Sequence, residues 1–254
     1  MEINSKSESR LGSFLDNPSK ALWTLAIPIM FGMGIHTLYN IVDMMFIGRL
    51  GGNAIAGIAF NMPVFFLMLG LTMGLGSGVT ASIARFIGEN NKRNADNSAE
   101  HALAMAAVIA TIFTTAGLVF GYKILASLGA KGEILTLAWD YLYIIIIGLP
   151  FMIFSGFFRS ILAGEGDMKF PMMVAGLGTI LNIILDPIFI FELEEYGGIG
   201  FGMGVKGAAM ATVICQLLVF IIFIYMLFVK KHAYITFKLK DFTPSKEILW
   251  DIVK

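Results

Sequence analysis

The 254-residue sequence has few charged residues and a single cysteine. Charged residues make up 14% of the chain and hydrophobic residues 57%, with a mean hydropathy of +0.80, which is too apolar for the surface of an ordinary soluble domain. The lone Cys215 excludes a disulfide or a multi-thiolate metal site within the chain, and we expect it to be a small buried core residue. A formal net charge of zero gives no sign of nucleic acid as a partner. The lipid bilayer is therefore the expected solvent.

The sequence also lacks the short motifs of common enzymes. It contains no phosphate-binding Gly-Lys-Ser/Thr loop, no His-Glu-x-x-His pair and no nucleophile elbow. The glycine-rich stretch 74–78 lies in an apolar run and is not followed by the lysine that a nucleotide loop requires. We therefore predict no enzyme and no cofactor. If a protein of this kind moves a solute uphill, the energy would have to come from an ion gradient.

What the sequence does contain is six apolar stretches, each long enough to cross a membrane as a helix. A helix needs about 20 mostly apolar residues to span the hydrocarbon region. The six stretches are 21–47, 54–84, 99–122, 134–158, 170–191 and 205–229. Glycines inside them, such as Gly74 and Gly176, would let helix backbones approach closely. The fold class predicted is an all-α integral membrane bundle of six transmembrane helices.

Basic residues predict the orientation of the bundle in a cell membrane. If residues 1–20 are a cytoplasmic segment, fourteen of the 18 lysines and arginines fall on the cytoplasmic side. The four on the other side are Arg49, Lys123, Lys131 and Lys206. Both ends of the chain are thus expected in the cytoplasm, with 21–229 as a multi-pass membrane lobe.

Residues 230–254 become polar and basic, as a cytoplasmic connector would. They contain Pro244-Ser245-Lys246 and Trp250, which repeat the opening of the first apolar stretch, Pro18-Ser19-Lys20 and Trp23. One interpretation is that a second, missing lobe starts here, as in transporters built from two parallel repeats. Coincidence is the alternative, because the repeat is short.

Two aspartates deep in the apolar stretches are the leading functional candidates, since placing a charge there costs several kcal/mol. His36, Asn40 and Asp43 are spaced to share one helical face, and so are Asn182 and Asp186. Two such polar faces would meet inside the bundle. The alternative is that each aspartate caps or ends its helix near the membrane interface. His36 is either a polar relay with Asn40 or simply hydrogen-bonded.

Pro28 lies inside the first stretch, where it would remove a backbone hydrogen bond and bend the helix. Such a bend can change when a nearby carboxyl group gains or loses a proton, but a static packing kink is equally compatible with the residue. Tyr141, Thr212 and Gln216 could hydrogen-bond the two aspartates, although polar pairs between helices often only stabilise packing.

Four stretches of the sequence resemble the multidrug and toxic compound extrusion (MATE) family, in particular its prokaryotic branch. They are Pro28 followed by 43–51, then 159–171, 182–187 and 207–212. They occur in the order expected of the amino-terminal lobe of that family, and the likeness covers residues from about 15 to 230.

The resemblance implies one lobe of a pseudo-two-fold, twelve-helix antiporter that exports cationic or amphipathic organic compounds in exchange for H⁺ or Na⁺. Asp43, Asp186 and Asn182 match the cation-binding centre of this lobe, which is also where Na⁺ would bind. Tyr141 and Thr212 match neighbouring polar positions, and Pro28 matches the bend of the first helix. The alignment is ambiguous at Thr212.

Two other functions stay open at this point. A lipid-linked oligosaccharide flippase of the same broad superfamily would need a more cationic cavity, whereas the deep candidates here are acidic. An uncoupled channel or membrane-scaffold subunit would tolerate Asp43→Asn and Asp186→Asn and show no dependence on H⁺ or Na⁺.

Overall fold

A computed structural model describes residues 18–192, 200–230, 232–237 and 244–253, so most of the predicted segment 1–20 lies outside the described residues. The regular secondary structure of the described residues is helical apart from one isolated β-bridge, between Glu192 and Phe201. Its helices are α1 Pro18–Arg49, α2 Gly52–Ala59, α3 Met62–Gly88, α4 Lys92–Ser127, α5 Gly132–Gly164, α6 Lys169–Ile190, α7 Val205–Ile224 and α8 Lys246–Val253. A π-helical turn, Tyr225–Val229, continues α7.

Six helical segments are long and apolar enough to cross a membrane, which confirms the predicted all-α bundle. They are Met30–Arg49, Gly52–Gly88, Lys92–Ser127, Gly132–Gly164, Lys169–Ile190 and Val205–Val229. The helices run beyond several of the predicted limits. For example, α4 begins at Lys92 instead of residue 99, because the side chain of Asn91 accepts a hydrogen bond from the backbone N–H of Asn94 and caps the helix.

The second predicted span, 54–84, is divided into α2 and α3 around Asn61. Pro63 occupies the first turn of α3, where its missing N–H leaves no hydrogen bond unmade. The buried Asn61 amide donates to the carbonyls of Gly57, at 3.1 Å, and Ala138, at 3.2 Å. The break is therefore held against α5.

Helix α5 forms the centre of the bundle, since α2, α3, α4 and α7 all pack against it. Its middle is apolar on every side, and its fully buried side chains include Ile145, Phe157 and Ile161. Lipid is as apolar as these side chains, so close packing between helices is what holds the bundle together.

Helix α1, in contrast, lies at the edge of the bundle. It packs mainly along α6, with smaller contacts to α2 and α7. Apolar side chains along it are exposed, among them Phe31 at 73% and Met45 at 65%. Of the six spans, α1 is the least constrained by the rest of the lobe.

After α7, residues 232–237 fold back onto the turn between α5 and α6. The Glu165 carboxylate accepts the backbone N–H groups of Tyr234, at 2.9 Å, and Ile235, at 2.8 Å. Asp96 accepts both the N–H and the hydroxyl of Thr236, at 3.0 and 2.7 Å. The start of the predicted connector is thus attached to the lobe through two carboxylates.

We expect the Glu165 attachment to depend on pH. Burial is the main cause that raises the pKa of Glu165 from 4.5 to about 7, against the opposing effect of the two N–H groups. Because the folded-state pKa is raised, stability contributed by the protonated form is complete below about 4.5 and is lost as the pH rises through about 7. The thermal unfolding midpoint of Glu165→Gln, measured in detergent, should therefore vary less across this range than that of the wild type.

The slopes of the unfolding midpoint against pH are compared, and not the midpoints themselves, because Gln also removes one hydrogen-bond acceptor at every pH. Glu89→Gln, at an exposed glutamate at the end of α3, is the control and should keep the wild-type slope. Equal slopes for Glu165→Gln and the wild type would contradict the assignment.

The crossing of α5 and α7 depends on Gly148. A Cβ atom at this position would lie 2.5 Å from a Val213 methyl carbon, whereas a Cβ at Gly176 in α6 would have no neighbour within 4 Å. Val213 is stiff at χ1 and cannot turn away easily. We expect Gly148→Ala to destabilise the lobe by about 1–3 kcal/mol, whereas Gly176→Ala should be neutral or stabilising by up to about 1 kcal/mol. Thermal unfolding in detergent measures both, and equal midpoints would show that this crossing tolerates separation.

Candidate cation-binding site

The packing of α1 along α6 brings Asp43 and Asp186 together. Asp186 is 0% exposed and Asp43 is partly buried. Their carboxyl groups lie within hydrogen-bonding range of each other. Neither residue ends its helix, since α1 continues to Arg49 and α6 to Ile190. The two acids therefore meet inside the lobe.

Asn182 orients the Asp186 carboxyl group from one turn earlier on α6. Its Nδ2 donates to Oδ1 of Asp186 at 2.9 Å, and the Asn182 side chain is only 4% exposed. The next residue, Pro187, has no N–H, so the carbonyl of Ile183 lacks its usual helical donor. Around Asp186, α6 therefore has several oxygen atoms and few N–H groups to donate hydrogen bonds to them.

The other Asp186 oxygen, Oδ2, is buried without a hydrogen-bond donor among the described residues. Two neighbouring carboxyl groups can form a hydrogen bond with each other only if one of them carries a proton. Within the described part of the chain, neither Asp43 nor Asp186 forms an ion pair with a lysine or arginine. Leaving two negative charges together in an apolar interior is costly, so the geometry calls for a positive ion.

Tyr141 and Cys215 are buried within electrostatic range of the pair. Tyr141 on α5 is 7% exposed, and the charges of both aspartates act on its phenol. The Phe65 ring packs edge-on against Tyr141, with 6.2 Å between ring centroids. Cys215 on α7 is buried, and the charge of Asp186 acts on its thiol. Helices α5 and α7 therefore each place one polar side chain near the pair.

The remaining predicted site residues are Thr212, Asn40, Pro28 and His36. Thr212 is half-buried on α7, and its side chain forms no hydrogen bond within the described residues. Asn40 is exposed on α1. Helix α1 runs unbroken through Pro28 and His36, but their side chains lie outside the described part of the structure. The roles of these four residues stay predictions.

Sequence reasoning did not single out Cys215, or Phe65, whose ring packs on Tyr141. Cys215 follows Thr212 by three positions, so helical spacing could have placed both on one face of α7. Phe65 lies in an apolar run with no polar neighbour to single it out.

The oxygen atoms of the site suit a small hard cation or a proton. Carboxylate and amide oxygens are ligands of hard cations, whereas transition metals favour nitrogen and sulfur. No group of three or more His, Cys, Asp or Glu side chains suited to a metal ion is found in the described ranges. The residues present therefore fit Na⁺ or H⁺ better than a tightly held metal.

Acidic side chains buried inside a membrane-spanning bundle mark a candidate functional site. The MatE family profile matches residues 28–188, and the chain belongs to this family of transporters, which are not enzymes. It is 31% identical over 238 residues to the multidrug export protein MepA of Staphylococcus aureus, covering 92% of this chain and 50% of that protein.

Two further comparisons agree in extent. The FAD transporter of Shewanella oneidensis is 28% identical over 211 residues, which cover 83% of this chain and 46% of that protein. The solved structure of a MOP superfamily transporter from Pyrococcus furiosus superimposes with a TM-score of 0.86 at 40% identity, covering 93% of this chain and 51% of that one. The chain thus spans about half the length of these relatives.

Replacing one acid of the pair should stabilise the lobe when no cation is present. At alkaline pH, in buffer free of sodium, Asp186→Asn removes the repulsion between two carboxylates while keeping the shape of the side chain. We expect the thermal unfolding midpoint to rise by about 2–4 °C for each kcal/mol of repulsion removed. Asp140→Asn, at a partly exposed acid paired with Lys206 at 3.3 Å, is the matched control and should not rise. A lower midpoint for Asp186→Asn than for the control would show that the pair is not repulsive.

Proposed function

We propose that this chain is the amino-terminal lobe of a twelve-helix secondary antiporter, which exports cationic or amphipathic organic compounds in exchange for H⁺ or Na⁺. The observation that carries the proposal is the pairing of Asp43 with the fully buried Asp186, without a basic partner among the described residues. A cation bound between the two carboxylates removes their repulsion, and its release restores that repulsion.

Coupling follows from the position of α1. Cation loss leaves two carboxylates in contact, and their repulsion pushes α1 away from α6. Because α1 has few other contacts in the lobe, it is the helix that can respond. A movement of α1, with Pro28 as its bend, changes the surface that the lobe presents to a substrate. Cation and substrate then each stabilise a different conformation of the lobe, so that binding of one disfavours binding of the other.

The exposed apolar face of α1 supports a second lobe as partner. In a two-lobe transporter, this face of α1 would line the substrate path between the lobes. In a lone lobe, the same face could only contact lipid. The half-length match to relatives is compatible with this arrangement. On this proposal the chain alone binds a cation but transports nothing, since one lobe cannot enclose an alternating path.

The proposal places both ends of the chain in the cytoplasm, on the basis of the basic residues between the spans. The acidic centre also favours cation exchange over the flippase alternative. Among the described residues, the buried acidic and basic side chains are the acids Glu100, Asp167 and Asp186 and the imidazole of His101, and no lysine or arginine is buried with them. A pyrophosphate carrier would need the opposite charge in its core.

The experiment is efflux of ethidium from energised membrane vesicles that contain the two-lobe transporter with this lobe. Asp43→Asn and Asp186→Asn should each lower the coupled efflux rate about 5- to 150-fold, the usual range of a coupling energy between two sites. Asp140→Asn serves as the control and should retain efflux. The proton and sodium gradients are collapsed separately, and loss of efflux in one case identifies the ion. Efflux that survives both collapses, or that is equal in all three variants, would contradict antiport.

A further inference from the structure

Helix α8 crosses the end of the lobe where α3 ends and α4 begins. Its Ile248 and Ile252 are 5% and 2% exposed and join the core cluster that contains Ile83 and Phe86. The opposite face of α8 exposes Trp250 at 68%. The helix is therefore docked on the lobe by one apolar face.

The docking surface on α3 is shaped for a close approach. A Cβ atom at Gly78 would overlap the carbonyl oxygen of Ile252 and lie 3.2 Å from its Cα. Gly74, one turn earlier on the same helix, has nothing within 4 Å of the equivalent position. Glycine at position 78 is thus required by α8 and not by α3 itself.

Polar contacts fix both ends of α8. A guanidinium nitrogen of Arg85 contacts Asp251 Oδ2 at 2.6 Å, and the two side chains are 48% and 35% exposed. The Ser245 N–H donates to Nε2 of the buried His101 at 3.0 Å, while the ring's Nδ1 lies 2.8 Å from the Asn97 carbonyl. An imidazole that donates from Nδ1 and accepts at Nε2 satisfies both contacts. The docked position is therefore specific in direction and register.

We infer that the contact of α8 with Gly78 and Arg85 is a reversible latch between the two lobes, closed in this structure and opened when this end of the transporter admits its cargo. The inference rests on the proposed function. It takes α8 to be the start of the first helix of a second lobe, the interpretation that the repeat of Pro18-Ser19-Lys20 and Trp23 in Pro244-Ser245-Lys246 and Trp250 suggests. A contact between lobes at one end must break for an alternating path to open there.

The latch is built to open. Its ion pair is partly exposed, and such pairs contribute little to stability. Its apolar part is a few side chains of one eight-residue helix. The alternative is that α8 belongs permanently to this lobe and stays docked in every state.

The first test measures docking without transport. In the two-lobe protein, Ile248→Cys reports α8 release by the rate of maleimide labelling that it adds to that of the protein without this cysteine. Adding Gly78→Ala should raise this rate severalfold, whereas Gly74→Ala should leave it unchanged. Arg85→Gln should raise it about two- to fivefold, the range of a surface ion pair. Ethidium should also raise the labelling rate, because the latch opens when this end of the transporter admits its cargo. A labelling rate that none of these changes would identify α8 as a permanent part of the lobe.

The second test locks the latch. Arg85→Cys and Asp251→Cys are introduced together, the buried Cys215 is retained, and the two new cysteines are joined by a short, reducible bismaleimide. Ethidium efflux should fall to the level of empty vesicles, return after reduction, and remain when a monofunctional maleimide is used. Efflux at the monofunctional rate despite complete cross-linking would overturn the latch.

Asp43→Asn in the same background separates the two proposals. If efflux depends on Asp43 but not on the cross-link, the antiporter stands and the latch fails. If efflux without the cross-link does not depend on Asp43, the proposed function fails.

Discussion

Two carboxyl groups that meet in an apolar interior constrain everything else in this lobe. Asp186 is fully buried, Asp43 faces it from another helix, and one Asp186 oxygen has no donor among the described residues. Water would screen such a pair at a surface, whereas an apolar interior does not. On the proposed function, the pair either takes up a positive ion or separates, so occupancy of the site and the position of α1 become one equilibrium.

The rest of the bundle gives this equilibrium a fixed frame. Helix α5 is surrounded by other helices and packs closely against α7, where Gly148 faces Val213. Asn61 holds the break between α2 and α3 onto the same helix, and Tyr141 of α5 lies within electrostatic range of the acids. Helix α1, in contrast, exposes most of the apolar side chains that the structure describes on it. On the proposed function, α5 and its neighbours stay fixed while the loosely packed α1 moves.

Much of this arrangement could be predicted from the sequence, because hydropathy locates the spans and a charge inside a span stands out. Helical spacing put Asn182 beside Asp186, and the structure joins them by a hydrogen bond. What could not be predicted depends on contacts between distant parts of the chain. Nothing local in Glu165 indicates that it binds the backbone of Tyr234, or in Gly78 that Ile252 lies against it. The break at Asn61 was missed because an apolar run hides the first-turn role of Pro63.

The claim that Asp43 and Asp186 hold one positive ion jointly is tested most directly by infrared titration of the carboxyl groups in the purified chain, with and without sodium. The account predicts that the two acids titrate as a coupled pair, so that Asp43→Asn shifts the titration of Asp186 and Asp186→Asn shifts that of Asp43. Two aspartates that titrate independently, each unaffected by replacement of the other, would contradict it.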